Sequence, residues 1–289
     1  MRSLALRFAN ARSRLLKRWV NADYDPSAMR LRLAQRSRLS ETSEWVSVGD
    51  ASIECRGDAA SDQAIVYCVG GGFFLGPTDM HRQLVDELCA ATNSRGLIIH
   101  HRLAPENPFP IPVEDTIACL RHINDVFSIR KYAMIADSSG AAVGLSAVVK
   151  FGELGGRLPS GLVLLSPYTD LANTGRSYVS NAQCDPNFGP QALIHKAWYY
   201  LQGHNPTDPL ASPFWGDLSG LPPSIIFVGS KEVMHEDAVR LSEKLNLCGS
   251  PTALNTYDHA PHVWPLNARL PEATEARAEM VTYLEKAFE

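Results

Sequence analysis

The run Ala136-Asp137-Ser138-Ser139-Gly140 constrains this chain more than any other segment. It follows a short apolar stretch, Tyr132-Ala133-Met134-Ile135, and leads into a small-residue segment that begins Ala141-Ala142-Val143-Gly144. That is the pattern of a buried strand, a sharp turn and a helix. Small neighbours allow a serine at the tip of such a turn to be held in a strained backbone conformation, and its hydroxyl is lifted above the sheet as a nucleophile. The plainer reading is a tight turn that merely contains a serine, and the surrounding motifs argue against it.

Upstream, the apolar run Ala64-Ile65-Val66-Tyr67-Cys68-Val69 reads as a buried strand that stops at Gly70-Gly71-Gly72, before Phe73 and Phe74. Three glycines leave bare backbone N–H groups facing a cavity. Donors fixed in advance stabilise the oxyanion of a tetrahedral intermediate, each by about 2.7–4 kcal/mol of barrier. A phosphate cradle is the other use of such a loop, but no Gly-Lys-Ser/Thr follows. Downstream, the apolar run 224–228 ends at Gly229-Ser230-Lys231-Glu232, and the run 252–257 ends at Asp258-His259-Ala260-Pro261-His262. The chain order is therefore serine, acid, histidine, each at the end of a strand, which is the order of the α/β-hydrolase arrangement. Glu236 and Asp237 compete with Glu232 for the acid, and His259 competes with His262 for the base.

These motifs resemble those of the hormone-sensitive-lipase-like family of α/β-hydrolases, also called bacterial family IV esterases, over nearly the whole chain. Val69-Gly70-Gly71-Gly72-Phe73 resembles H-G-G-G-F, His101-Arg102-Leu103-Ala104-Pro105-Glu106 resembles Y-R-L-A-P-E, and Asp137-Ser138-Ser139-Gly140 resembles the core of G-D-S-A-G-G. Phe109-Pro110 with Glu114-Asp115, Leu165-Ser166-Pro167 with Asp170, Asp208-Pro209-Leu210 with Ser212-Pro213, and Pro261-His262-Val263-Trp264 follow in the family's order. The resemblance implies Ser138 as nucleophile, His262 as base because the family's histidine follows that proline, and Glu232 as acid because it sits on the turn directly after the strand. It also implies Gly70, Gly71 and Ser139 as oxyanion donors. Phe73 and Phe74, as bulky rings beside the oxyanion hole, are expected to bind substrate and shorten the acyl pocket. Three positions depart from the pattern: Val69 replaces the histidine that braces the glycine loop in the family, and Ala136 and Ala141 replace the glycines flanking the turn.

The remaining sequence agrees. A chain of 289 residues is long enough for one large α/β domain. Residues 45–48 and 53–55 suggest an antiparallel edge pair, and strands near 64–69, 96–100, 132–136, 161–165, 224–228 and 252–257 alternate with helical stretches. Such alternation means a mostly parallel central sheet with helices on both faces. Residues 168–221 interrupt it with Phe188, Trp198, Tyr199, Tyr200, Phe214 and Trp215 among prolines and glycines. A cap is expected there, within 175–220, and a second part of it within 1–40. That N-terminal stretch has arginines at 2, 7, 12, 14, 18, 30, 32, 36 and 38 alternating with Leu4, Leu6, Phe8, Leu15, Leu16 and Trp19. A transit peptide or a membrane-surface helix shares this pattern. Cap helices with an apolar stripe over the site and arginines toward water are preferred, as the resemblance also implies.

With 27 basic against 31 acidic residues, the charge balance points away from nucleic acid and toward a neutral small-molecule ester. Cysteines 55, 68, 89, 119, 184 and 248 lack C-x-x-C spacing and read as reduced and structural, Cys68 and Cys119 lying in apolar segments where a free thiol packs as a small hydrophobe. No metal or cofactor is expected. No apolar run reaches the roughly 18 residues of a membrane span, and the start lacks a signal-peptide core, so the expected location is cytoplasmic; a homodimer remains open. The expected activity is a serine carboxylic ester hydrolase acting on short to medium acyl esters. A lactone hydrolase with the same triad is the alternative. A non-catalytic ligand-binding protein, like the plant gibberellin receptors that resemble this family, is disfavoured because all three triad residue types are present.

Overall fold

The computed structural model describes residues 3–20, 25–34 and 43–289. Arg2, Arg36 and Arg38, and residues 1–2, 21–24 and 35–40 of the first expected cap segment, lie outside the described residues. Helices α1 (Leu4–Val20) and α2 (Pro26–Ala34) precede a hairpin of β1 (Glu44–Val48) and β2 (Ala51–Gly57). Strand and helix then alternate: β3 (Gln63–Cys68), α3 (Asp79–Thr92), β4 (Arg95–His100), α4 (Ile111–Val126), β5 (Lys131–Asp137), α5 (Ser139–Glu153) and β6 (Gly161–Leu165). The expected interruption follows, carrying α6 (Ser177–Ser180) and α7 (Pro190–Leu201). The alternation resumes with β7 (Ser224–Gly229), α8 (His235–Leu247), β8 (Thr252–Tyr257) and α9 (Pro271–Phe288).

The strands form one sheet in the order β1-β2-β4-β3-β5-β6-β7-β8. β1 pairs with β2, and β2 with β4, antiparallel, and every pairing from β4 to β8 is parallel. The central strands are buried on both faces, which is why they read as unbroken apolar runs. Along β3, Ala64, Val66 and Cys68 face a core built with α4, α5 and α8, while Ile65 and Tyr67 face a second core built with α3 and α9. From β3 the chain passes to β4 on one side and then crosses to β5 on the other. Where strand order reverses, the loops at the carboxyl ends diverge and leave a crevice between them. The glycine loop leaves β3 and Ser138 leaves β5 at that point.

The antiparallel edge is tied to the body by a buried ion pair. Glu54 on β2 is fully buried and accepts from Arg82 Nε of α3 at 2.8 Å and from Arg56 Nη1 at 3.0 Å; its other oxygen lies 3.0 Å from His100 Nε2 of β4. Burial opposes the charge, but the hydrogen bonds from His100 and Arg82 hold the carboxyl far below the usual carboxylate range. Arg82→Met leaves a buried anion short of its main partner and is expected to destabilise the fold by about 3–5 kcal/mol in urea unfolding. Because the folded carboxyl titrates below the unfolded one, its contribution is complete above about pH 4.3 and drains as pH falls toward the folded value. The gap between wild type and variant should therefore narrow in acid.

Candidate active site

Ser138 sits between β5 and α5 at φ 51° and ψ −126°, a backbone region costly for any residue with a side chain. Its N–H donates to the Leu165 carbonyl (2.9 Å), and its carbonyl accepts from the N–H groups of Tyr168 (3.0 Å) and Ala141 (3.0 Å). The turn is thus anchored to the exit of the neighbouring strand β6. Gly140 is obligatory here: a Cβ at this position would lie 2.3 Å from the Cys68 carbonyl oxygen and 2.6 Å from the Val69 carbonyl carbon. Ala136 and Ala141, which stand where the family pattern has glycines, are accommodated in full burial.

His262, in the loop after β8, reaches Ser138 Oγ with Nε2 at 2.9 Å and Glu232 Oε2 with Nδ1 at 2.6 Å. Glu232, in the turn after β7, is fully buried, and its Oε1 accepts from Ser166 Oγ (2.8 Å) and the Gly229 N–H (2.6 Å). The structure therefore brings together the serine, histidine and glutamate singled out from sequence. The competing side chains are engaged elsewhere. His259 Nε2 lies 3.4 Å from Asp258 Oδ1. Glu236 accepts from the N–H groups of Arg176 and Ser177. Asp237 accepts from the Tyr178 hydroxyl at 2.8 Å, and burial raises its carboxyl well above the ordinary value.

Several residues of the site went unassigned at the level of sequence. The Ser166 hydroxyl donates to Glu232 and accepts from the Val263 N–H (3.1 Å), joining the acid loop to the histidine loop. Asn187 Oδ1 accepts from the His262 N–H at 3.1 Å, and Phe188 meets the imidazole edge to face at 5.0 Å. Buried Asp185 accepts from the N–H groups of Asn187 (2.7 Å), Phe188 (3.0 Å) and Val233 (2.7 Å), and both burial and the nearby Glu232 push its carboxyl up. The Asp-Pro-Asn sequence at 185–187 announces a side-chain-closed turn. Its contact with residue 233 has no local signal.

The glycine loop requires a correction. The Gly70 N–H donates to Asp137 Oδ1 at 2.8 Å and so is not available as an oxyanion donor. Among the described residues, the N–H groups of Gly71, Gly72 and Ser139 meet no acceptor. Gly71 and Gly72 adopt φ values of 123° and 66°, which turn the loop back on itself. With Val69 in the histidine position, other bonds brace the loop: the Phe73 N–H donates to Ser139 Oγ (3.1 Å), the Ala104 N–H donates to the Phe73 carbonyl (3.0 Å), and Arg30 Nε reaches the Phe74 carbonyl (2.7 Å). Buried His81 adds to this, with Nδ1 accepting from the Thr78 N–H (3.0 Å) and Nε2 lying 3.5 Å from Asp137 Oδ1. Burial would raise the Asp137 carboxyl, but His81, the Gly70 N–H and His262 hold it below its usual value.

A cavity of about 340 Å³ lies over Ser138, with Phe74, Leu75, Tyr168, Phe188, Leu193 and Lys196 among its walls. Phe73 does not line it, contrary to expectation. The Phe73 ring stacks on Tyr200 at 4.0 Å within the core, because its φ of 72° carries the chain through a reversal at this residue. Lys196 lays its stem against Gly72, and burial pushes its ammonium down to about 7.

Residues 65–266 match a family model described as alpha/beta hydrolase fold. An acetyl-hydrolase of Streptomyces hygroscopicus is 35% identical over 221 residues, covering 76% of this chain and 74% of its own. An esterase of Acinetobacter venetianus is 32% identical over 268 residues, 89% of this chain and 88% of its own. Among solved structures, an esterase from the bacterial hormone-sensitive lipase family superposes over all of both chains with a TM-score of 0.89 at 32% identity. EstE5 soaked with ethyl alcohol covers 99% of each chain with a TM-score of 0.91 at 28% identity.

The close approach of α5 to the end of β3 is open to a direct test. Gly140→Ala forces a methyl group into backbone and is expected to destabilise by at least about 1–3 kcal/mol. Gly76→Ala, where a Cβ meets nothing within 4 Å, should stay within about 0.5 kcal/mol of wild type in the same unfolding measurement.

Proposed function

The chain belongs to the α/β-hydrolase family, within its bacterial hormone-sensitive-lipase branch of carboxylesterases, and on that premise we propose that Ser138, His262 and Glu232 form its catalytic triad. The observation that carries this reading is the unbroken line from Ser138 Oγ through both imidazole nitrogens to Glu232 Oε2, with spacings of 2.9 and 2.6 Å. Ser138 Oγ attacks the ester carbonyl carbon as its proton passes to His262 Nε2. Glu232, committed to the Nδ1–H, fixes the tautomer and stabilises the imidazolium. The tetrahedral oxyanion takes the N–H groups of Gly71, Gly72 and Ser139, which are otherwise without acceptors. Collapse breaks the bond to the alcohol oxygen, which leaves with the proton from Nε2. Water then repeats the sequence on the acyl-enzyme and releases the acid.

Short to medium acyl chains suit a 340 Å³ space walled by Phe74, Tyr168 and Phe188. In this reading one hydrolase domain spans the chain, and segments within 1–40 and 175–220 act as its cap. Ser13, Met29, Asn187, Phe188, Leu193 and Lys196 on the cavity wall support that assignment.

Turnover of a chromogenic four-carbon ester by the purified protein tests the triad. Ser138→Ala should lower kcat by about 10⁶ and Glu232→Gln by about 10⁴, whereas Asp237→Asn should cost far less. Retained turnover in Ser138→Ala removes the nucleophile assignment, and a larger loss in Asp237→Asn than in Glu232→Gln removes the acid. Across a series of acyl lengths, kcat/KM should fall from four-carbon toward long-chain esters; a rise refutes the pocket reading.

A further inference from the structure

We propose that the outer face of the cavity-lining helices, led by α1, docks on the surface of an anionic lipid bilayer. On α1, Leu4, Phe8 and Leu15 are 70%, 76% and 76% exposed. At about 100° per residue they fall within about 40° of one another, forming a single outward stripe. Exposed Arg7 and Arg14 flank it on one side and exposed Arg12 on the other. The opposite face is the one that packs. Leu6 is buried in the core, Asn10 Nδ2 donates to the His259 carbonyl (2.8 Å), Ser13 lines the catalytic cavity, and Lys17 Nζ donates to the carbonyls of Ala182 (2.8 Å) and Asp185 (2.7 Å). The apolar stripe is therefore surplus to the packing of this helix.

The neighbouring helices share the same division. On α2, Met29 lines the cavity while Leu31 is exposed; on α7, Leu193 lines it while Ile194 and Trp198 are exposed. None of α1, α2 and α7 contains an aspartate or glutamate, although the chain as a whole has 31 acidic against 27 basic residues. Acid-free helices that expose leucine, phenylalanine, isoleucine and tryptophan, with arginines flanking the stripe on α1, complement a bilayer interface, where aliphatic side chains enter the acyl boundary, indole sits at headgroup depth and arginine pairs with lipid phosphate. The alternative occupant, a second copy of the chain, would set the arginine flanks of two α1 helices against each other. Docking in this way puts the walls of the catalytic cavity at the lipid surface.

Co-sedimentation of the full chain with vesicles tests the proposal, using phosphatidylcholine alone and phosphatidylcholine with about 30% phosphatidylglycerol. Binding to the anionic vesicles is expected to be about tenfold or more tighter and to weaken as salt is raised from about 0.1 M to 0.5 M. Arg7→Gln/Arg12→Gln/Arg14→Gln should abolish the preference, and Phe8→Ser/Leu15→Ser should abolish retention. Thermal unfolding checks that each variant is folded, with Leu15→Gln as a milder substitute for the second. Absence of binding to anionic vesicles overturns the proposal, as does binding that survives loss of the arginines. A dimer in gel filtration that Phe8→Ser/Leu15→Ser converts to monomer, with no vesicle binding, also overturns it and assigns the face to self-association.

Discussion

The hydrogen bond from the Gly70 N–H to the Asp137 carboxylate joins the carboxyl ends of two adjacent parallel strands, and the geometry above the sheet depends on it. It is possible only because Gly140 lets α5 start against the backbone of residues 68 and 69. The same contact sets the distance between Ser138 and the donors of the glycine loop, so a change in one displaces the other. Asp137 is buried yet stays ionised, since His81 lies beside it and the amino end of α5 begins two residues on. A carboxylate in that position holds the loop through an N–H that donates to it, which leaves Gly71 and Gly72 on the cavity wall with their N–H groups uncommitted.

A second buried carboxylate organises the other half of the site. Three donors surround Glu232: the Gly229 N–H and the Ser166 hydroxyl on one oxygen and the imidazole on the other. A buried carboxylate satisfied on both oxygens has little freedom to reorient, and the imidazole inherits that rigidity. Ser166 extends the constraint by also accepting from the Val263 N–H. Three loops, after β6, β7 and β8, are locked together through the buried side chains of Ser166 and Glu232.

The helices above the cavity do two jobs with two faces. Their inner faces supply apolar walls and a buried ammonium, and their outer faces carry large apolar side chains in water. Among the described residues no helix is long and apolar enough to cross a membrane.

Strand positions were legible because each central strand carries an unbroken apolar run, and burial on both faces demands that pattern locally. Ser138 and Glu232 were legible for the same reason, each following the end of such a run, whereas His262 follows the mixed edge strand β8 and was legible from the Pro261-His262 motif. The sequence alone therefore determined the order of elements, the mostly parallel sheet and the end of it where Ser138, Glu232 and His262 meet. What it left undecided were pairings between distant residues. Gly70 and Asp137 are 67 residues apart, and His262 and Ser138 are 124 apart. Whether an N–H faces a cavity or a carboxylate, and whether Phe73 faces substrate or Tyr200, depends on which atoms the sheet brings within 3 or 4 Å. Periodicity and motif report what a residue is and where it lies along a strand; only the packed structure decides which partner satisfies it.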